Sequence, residues 1–418
     1  MQSKNLEDWL CWIEKIHAQP IAMGLDRVRA VALRLGLGRI ARHCIVVAGT
    51  NGKGSTVTMI AAIARAAGWR VGAYTSPHLF RFNERIALQG QWIDDAALVD
   101  AFARIEQARQ GVPLTYFEFT TLAAFCLFQA ADLDLAVLEV GLGGRLDAVN
   151  LIDCDVAVIT TVALDHTEWL GPDREAIGSE KAGIMRGQKP VILGELDPPT
   201  SVLRHAYRIG ALSLRLGCDF FYQRLTGGRW RWRDVDRSFD LPEPSLAGPI
   251  QLTNAAVAIA ALRALPYSLD PSAWATGLRQ SVLPGRMEIA SYQGVEVVLD
   301  VSHNPQAVTQ FAAALAALPR RGRTLAVFAA LTDKDSVNIA AALRGRIDQW
   351  HLAGLAGARG QSADVLAATL ARSGIVSTSQ SPSVAEALVA ARQAAGPHDR
   401  ICVFGSFHTV AKAYVHCD

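Results

Sequence analysis

Short apolar runs bounded by polar or turn residues recur along this chain, and alanine-rich stretches of helical character separate them. The runs predict strands at residues 44–48, 71–74, 135–140, 156–162, 190–193, 295–300, 324–329, 349–352 and 400–404. The intervening pattern predicts helices at 57–67, 120–131, 254–265, 306–318 and 383–394. Such alternation specifies an α/β protein with largely parallel sheets. One segment breaks the pattern. Residues 220–225 and 229–233, joined by Thr226-Gly227-Gly228, read as a β-hairpin with Trp230 and Trp232 on one face and Arg229, Arg231 and Arg233 on the other. That arginine face fits either a nucleic-acid reader or a solvated surface over packed tryptophans, and the second is the simpler reading.

Length and composition narrow the class. At 418 residues the chain exceeds one ordinary core. A break at Leu283-Pro284-Gly285 divides it into expected domains 1–284 and 285–418, the second with four strand candidates of its own. Half of the residues are hydrophobic, 19% are charged, and the net charge is +2, so nothing demands nucleic acid or an anionic membrane. The apolar, uncharged stretch 119–131 is too short to cross a bilayer. Lys4, Glu7, Asp8 and Glu14 make the start unlike a signal peptide, which leaves a cytoplasmic location as the expectation. The seven cysteines are odd in number and form no C-x-x-C pair, so reduced core thiols are expected rather than disulfides or a zinc site.

The most informative chemistry follows the first predicted strand. Ile45-Val46-Val47-Ala48 runs into Gly49-Thr50-Asn51-Gly52-Lys53-Gly54-Ser55-Thr56, and a helix-like stretch follows. A loop with few Cβ atoms can wrap backbone N–H groups around a phosphate, the helix adds its positive dipole end, and Lys53 adds a point charge. The spacing departs from G-x-x-x-x-G-K-[ST], which needs glycine at Val47 and a hydroxyl at Gly54. Bound nucleoside triphosphate needs magnesium, which favours oxygen ligands. Three segments at strand ends could supply them: 75–78 with Ser76, 138–147 with Glu139, and 161–166 with His166.

Together these segments resemble the bacterial folylpolyglutamate synthase/dihydrofolate synthase family of the Mur ligase superfamily. Further stretches carry the resemblance: 114–119, 165–171, 178–184, 252–256, 284–286, 300–305 and 405–410. They follow the family's order from residue 49 to residue 410. The likeness implies a P-loop-type ATPase domain with a mainly parallel sheet, followed by a smaller Rossmann-like α/β domain. It implies ATP held by Asn51, Gly52, Lys53, Gly54, Ser55, Thr56, Asn254, Arg286 and Asp300, and magnesium held by Ser76, Glu139 and His166. Lys181 would carry a carbamate that serves a second metal, and Lys53, Lys181, Arg286 and His303 would act in catalysis. Substrate contacts would come from Gly24, Leu25 and Asp26, from Thr115, Tyr116 and Phe117, and from Gly144, Arg145, Leu146 and Asp147. Without the resemblance, Lys181 reads as a surface lysine, Asn254 as a helix cap, and Asp300 as a strand end. Ser302 and Ser55 stand where the family commonly has alanine and threonine, exchanges that keep size nearly unchanged.

The implied activity is ATP-dependent ligation of L-glutamate to 7,8-dihydropteroate and to folates through an acyl phosphate, by a monomer without nucleic-acid or membrane partners. A Mur-type cell-wall ligase is the rival of the same superfamily, but only 48 residues precede Gly49, too few for a UDP-binding domain. A nucleotide-regulated binder without chemistry is the second rival. It would not need the metal-ligand set together with Lys181.

Overall fold

The computed structural model describes residues 4–19 and 21–417. It divides into two compact units, residues 1–245 with 252–281, and residues 246–251 with 282–418.

The first unit is built on eight strands: β1 His43–Ala48, β2 Val71–Tyr74, β3 Ile86–Leu88, β4 Gln91–Trp92, β5 Leu135–Glu139, β6 Val156–Ile159, β7 Pro190–Leu193 and β8 Leu212–Arg215. Their order is β4-β3-β2-β5-β1-β6-β7-β8. The five strand pairs from β2 to β8 are parallel, while β2–β3 and β3–β4 are antiparallel. Strands β1, β5 and β6 are almost wholly apolar because helices cover both faces, as a parallel sheet requires. Val46, Ala48 and Leu138 share a core with Phe119, Leu122 and Phe125 of the helix Tyr116–Ala130. The helix Lys53–Ala66 packs closely on the helix Pro271–Gln280 at Gly277, where a Cβ would lie 2.3 Å from the Ile63 Cα.

The predicted hairpin exists as β9 Phe221–Arg224 and β10 Arg229–Arg233, and a third strand, β11 Ser238–Pro242, extends it. Trp230 and Trp232 are buried, and their indole nitrogens donate to Pro242 O and Ala256 O. The arginine face is solvated, with Arg231 paired to Asp240 across the strands at 2.6 Å.

The second unit contains β12 Glu288–Tyr292, β13 Val295–Leu299, β14 Thr324–Phe328, β15 Gln349–Ala353, β16 Ser379–Ser381 and β17 Arg400–Phe404. They pair in the order β12-β13-β17-β14-β15-β16, parallel except for β12–β13. Its separate core gathers Val298, Phe311, Phe328, Leu352 and Phe404.

Two expectations need correction. The run 156–162 is a strand only to Ile159, because Thr160 and Thr161 turn their hydroxyls to the neighbouring loop. Cys44, Cys126, Cys154 and Cys402 are buried free thiols, whereas Cys11 and Cys218 are exposed. Among the described residues no helix is long and apolar enough to cross a membrane.

Candidate active site

Register decides what meets what. Val47 lies opposite Glu139, Tyr74 opposite Leu138, and Ala48 opposite Ile159. The segments leaving β1, β2 and β6 therefore emerge beside Glu139 at the carboxyl edge of the sheet, where open α/β sheets place their ligands.

The phosphate loop is rigidly held. Gly49 has φ +154 and its Cβ would lie 1.8 Å from Thr160 Oγ1, so both backbone angle and space exclude a side chain. Gly52, at φ +86, stands directly before the helix Lys53–Ala66 and directs its free N–H groups at the loop. Three threonines stitch the loop to the segment after β6. Thr160 Oγ1 donates to Asn51 O at 2.6 Å, and Thr161 Oγ1 accepts from Asn51 N at 3.0 Å. Thr50 Oγ1 accepts from Ala163 N and donates to Ala163 O. Loop and His166-bearing segment thus form one hydrogen-bonded body. Lys53 Nζ arches back to Gly49 O and Thr50 O, at 3.0 and 3.2 Å. Gly54 lies in the first helical turn. Ser55 and Thr56 are buried there, and Thr56 Oγ1 has no hydrogen-bond partner among the described residues. A Cβ on Gly52 would lie 2.6 Å from Asn254 Oδ1, which places that amide against the loop. Asn254 sits inside the helix Ile250–Arg263, so it is not a helix cap.

Ser76 N donates to Glu139 Oε2 at 3.1 Å, so the serine and the buried carboxylate are neighbours. His166 has φ +52 at the start of the short helix Thr167–Leu170, and its Nε2 lies 3.9 Å from Asp165 Oδ1. Serine and carboxylate oxygens are hard donors of the kind magnesium favours, and imidazole is the less usual third donor. Among the described residues no three His, Cys, Asp or Glu side chains form a metal-binding group, as expected when one donor is a serine. The unpartnered Thr56 hydroxyl is a second feature that a phosphate–metal complex would satisfy.

Lys181 is buried near the end of the helix Arg174–Ala182, only 3% exposed. The surface-lysine reading is therefore excluded. Burial first, then the positive Lys53, lowers its pKa from 10.5 to about 7, against the opposing pull of Asp165, Asp147 and Glu195. An amine held near neutrality is the form that can add CO₂.

The substrate candidates form a second cluster in the same unit. Thr115 caps the helix Tyr116–Ala130 in a reciprocal box with Glu118. Glu118 also pairs with Arg27 at 2.9 Å, and Arg27 donates to Ala22 O, which ties the stretch containing Gly24 and Leu25 to that helix start. Asp26 is exposed and pairs with Arg29. Phe117 faces Gly141, where a Cβ would lie 2.6 Å from the ring. Burial pushes the Tyr116 hydroxyl up to about 12. A Cβ on Gly144 would lie 3.1 Å from Lys181 O, Arg145 pairs with Glu180 at 2.8 Å, and Leu146 is half-buried. Asp147 accepts from Leu142 N and Val149 N, both at 2.9 Å, and burial raises its pKa to about 6. Its carboxylate shapes the 141–147 loop.

In the second unit, Asp300 follows β13 and accepts from Met287 N and Ser302 N, both at 2.9 Å, and from the Ser302 hydroxyl. It therefore braces the turn beyond the strand as well as ending it. His303 Nδ1 lies 3.0 Å from Val301 O. The Arg286 guanidinium lies 5.1 Å from the Phe407 ring, and the His303 ring lies 6.1 Å from it, so Arg286 and His303 share one aromatic neighbour.

Sheet order, phosphate loop and the second α/β unit define a Mur-ligase-type protein: residues 47–262 match the Mur ligase middle domain and residues 285–407 the Mur ligase glutamate ligase domain. Within that class, the chain belongs to the dihydrofolate synthase/folylpolyglutamate synthase family. It is 45% identical to the dihydrofolate synthase/folylpolyglutamate synthase of Escherichia coli, across 97% of this chain and 94% of that one. The Haemophilus influenzae relative of the same name is 40% identical, across 97% and 96%. The solved structure of E. coli FolC in complex with DHPP and ADP superposes with a TM-score of 0.93 at 44% identity, covering 99% of this chain and 97% of that one. A Yersinia pestis bifunctional folylpolyglutamate synthase/dihydrofolate synthase complexed with AMPPNP and Mn ion gives 0.91 at 44%, covering 99% and 98%.

Sequence reasoning passed over the structural part of Thr50, Thr160 and Thr161. Two hydroxyls directly after an apolar strand, beside a glycine loop, were the available signal. It also missed the Arg27–Glu118 pair, 91 residues apart in the chain, which has no local signature.

Proposed function

We propose that this protein is an ATP-dependent ligase that joins L-glutamate to 7,8-dihydropteroate and to folates. The observation that carries the reading is the convergence of phosphate loop, Ser76–Glu139 pair and buried Lys181 at one sheet edge, in a chain of this family. The substrate carboxylate takes the γ-phosphoryl group of ATP, releasing ADP. The amine of glutamate then attacks the acyl carbon, phosphate leaves, and the amine's proton is lost to solvent or base.

In this reading residues 51–56, with Asn254, hold the nucleotide, and Lys53 swings from its loop carbonyls to the phosphates. Ser76, Glu139 and His166 hold magnesium, and Lys181 as a carbamate serves a second ion; the metal, when bound, neutralises phosphate charge. Thr115, Tyr116, Phe117, the 24–26 stretch and the 144–147 loop take the pterin-bearing substrate. Arg286, Asp300 and His303 are the contribution of residues 285–418, with 1–284 as the ATP- and pterin-binding domain. The dominant effects are positioning and charge neutralisation. A cytoplasmic monomer acting on small molecules completes the proposal.

Phosphate release measured with purified protein and ATP tests it. Release that requires both dihydropteroate and glutamate supports the ligase. Release with a UDP-linked muramyl substrate alone overturns it in favour of the cell-wall ligase, and no release with any acceptor overturns it in favour of the binder.

A further inference from the structure

Arg85 ends a short 3₁₀ turn, Phe82–Arg85, directly before β3, and it is only 9% exposed. Its Nε donates to His78 Nδ1 at 2.9 Å. The guanidinium carbon lies 5.5 Å from the ring centroids of both Phe82 and Tyr116. Among the described residues no carboxylate pairs with it, and its two terminal nitrogens make no hydrogen bond. A guanidinium cannot shed its proton to escape burial, so such a site is retained where an anion arrives to complete it. Two aromatic faces hold the fork in place, which suits planar, bidentate recognition of a carboxylate.

Location separates this cation from the nucleotide. Arg85 O accepts from Thr75 N, so Arg85 lies across from the Thr75–Ser76 segment on its β3 side. The order β3-β2-β5-β1 puts three strand spacings, roughly 14 Å, between β3 and the phosphate loop after β1. Tyr116, its stacking neighbour, is followed by Phe117, whose ring lies 6.0 Å from that of Tyr74. The cation therefore belongs to the aromatic wall beside the Ser76 segment.

We infer that Arg85 is a substrate-carboxylate receptor, binding a carboxylate of the pteroate-type acceptor or of L-glutamate at the aromatic wall beside Ser76. The inference rests on the ligase reading. Arg85→Gln removes the charge. Arg85→Lys keeps it without the fork and covers the case in which the glutamine variant does not fold. Steady-state constants for acceptor, glutamate and ATP are measured for each, with thermal melting alongside. A rise of about 10- to 100-fold in KM for one organic substrate is expected for Arg85→Gln, with KM for ATP within about twofold. A rise for the acceptor identifies the pteroate carboxylate, and a rise for glutamate identifies the amino acid. Arg85→Lys should recover part of the loss. Unchanged constants for both substrates in an active protein, or a lowered melting temperature as the sole effect, overturn the inference and leave the ligase reading intact. A wild-type protein inactive with every acceptor removes the ligase reading and this one with it.

Discussion

Lys181 offers the sharpest physical test because its placement should cost stability. Buried and shifted from 10.5 to about 7, it binds fewer protons in the folded chain than in the unfolded chain between those two values. Stability contributed by this position must therefore rise with pH across that window. The shift of about 3.5 units corresponds to a penalty on the order of 5 kcal/mol below pH 7. It falls to about 2 kcal/mol at pH 9 and to under about 1 kcal/mol near pH 10.5. Lys181→Met keeps the length of the chain stem and removes the charge. Urea unfolding of both proteins at pH 6 and pH 9, in buffer stripped of CO₂ so that the amine stays free, reads the difference. The variant should be the more stable at pH 6, and its advantage should shrink by roughly 2–3 kcal/mol at pH 9, since packing changes cancel between the two pH values. Titrating groups remote from Lys181 cancel as well, being common to both chains. An advantage that is independent of pH, or that grows towards pH 9, would refute the argument. The same variant should lose ligase turnover, the exchange of stability for chemistry expected of a buried functional amine.

Lys53→Ala should leave far-ultraviolet circular dichroism unchanged and abolish ATP-dependent amide formation, because among the described residues Lys53 Nζ bonds only to the loop carbonyls of Gly49 and Thr50; near-normal turnover in this variant removes the nucleotide assignment. Gly49→Ala should lower stability by about 3 kcal/mol or more, since its Cβ would fall 1.8 Å from Thr160 Oγ1 at a φ of +154. Combining it with Thr160→Ala should recover part of the loss in melting temperature, and no recovery contradicts the clash as the cause. Trp230→Ala should cost about 3–5 kcal/mol in chemical denaturation, because the indole is fully buried and its nitrogen donates to Pro242 O; a loss under about 1 kcal/mol contradicts the packing role.

Strands and their loops were legible where the signal is local. An apolar run ending in glycines and a lysine states both a strand and a phosphate cradle, since backbone freedom and charge are properties of the residues themselves. The β9–β10 hairpin was legible for the same reason: alternation assigned its two tryptophans and three arginines to the faces they occupy. β3, β4, β8, β11, β12 and β16 were not, because strands with many exposed or polar positions have no apolar run to betray them. Lys181 illustrates the harder limit. Nothing adjacent in the chain distinguishes it from a solvated lysine; its low pKa comes from the helix face being covered and from Lys53, 128 positions earlier.

By itself the sequence determined the α/β class, the phosphate loop, the candidate metal ligands at three strand ends by residue type, and through resemblance the family. Tertiary structure alone decided which of them meet. The parallel register set Glu139 beside the end of β1 and Ser76 beside Glu139, the threonines of two separate segments locked the loop, and burial turned Lys181 into a near-neutral amine and left Arg85 a cation without an acid. The physical reason is the same in each case: residue type sets what chemistry is possible, while distance and desolvation, which depend on contacts far apart in the chain, set which of it occurs.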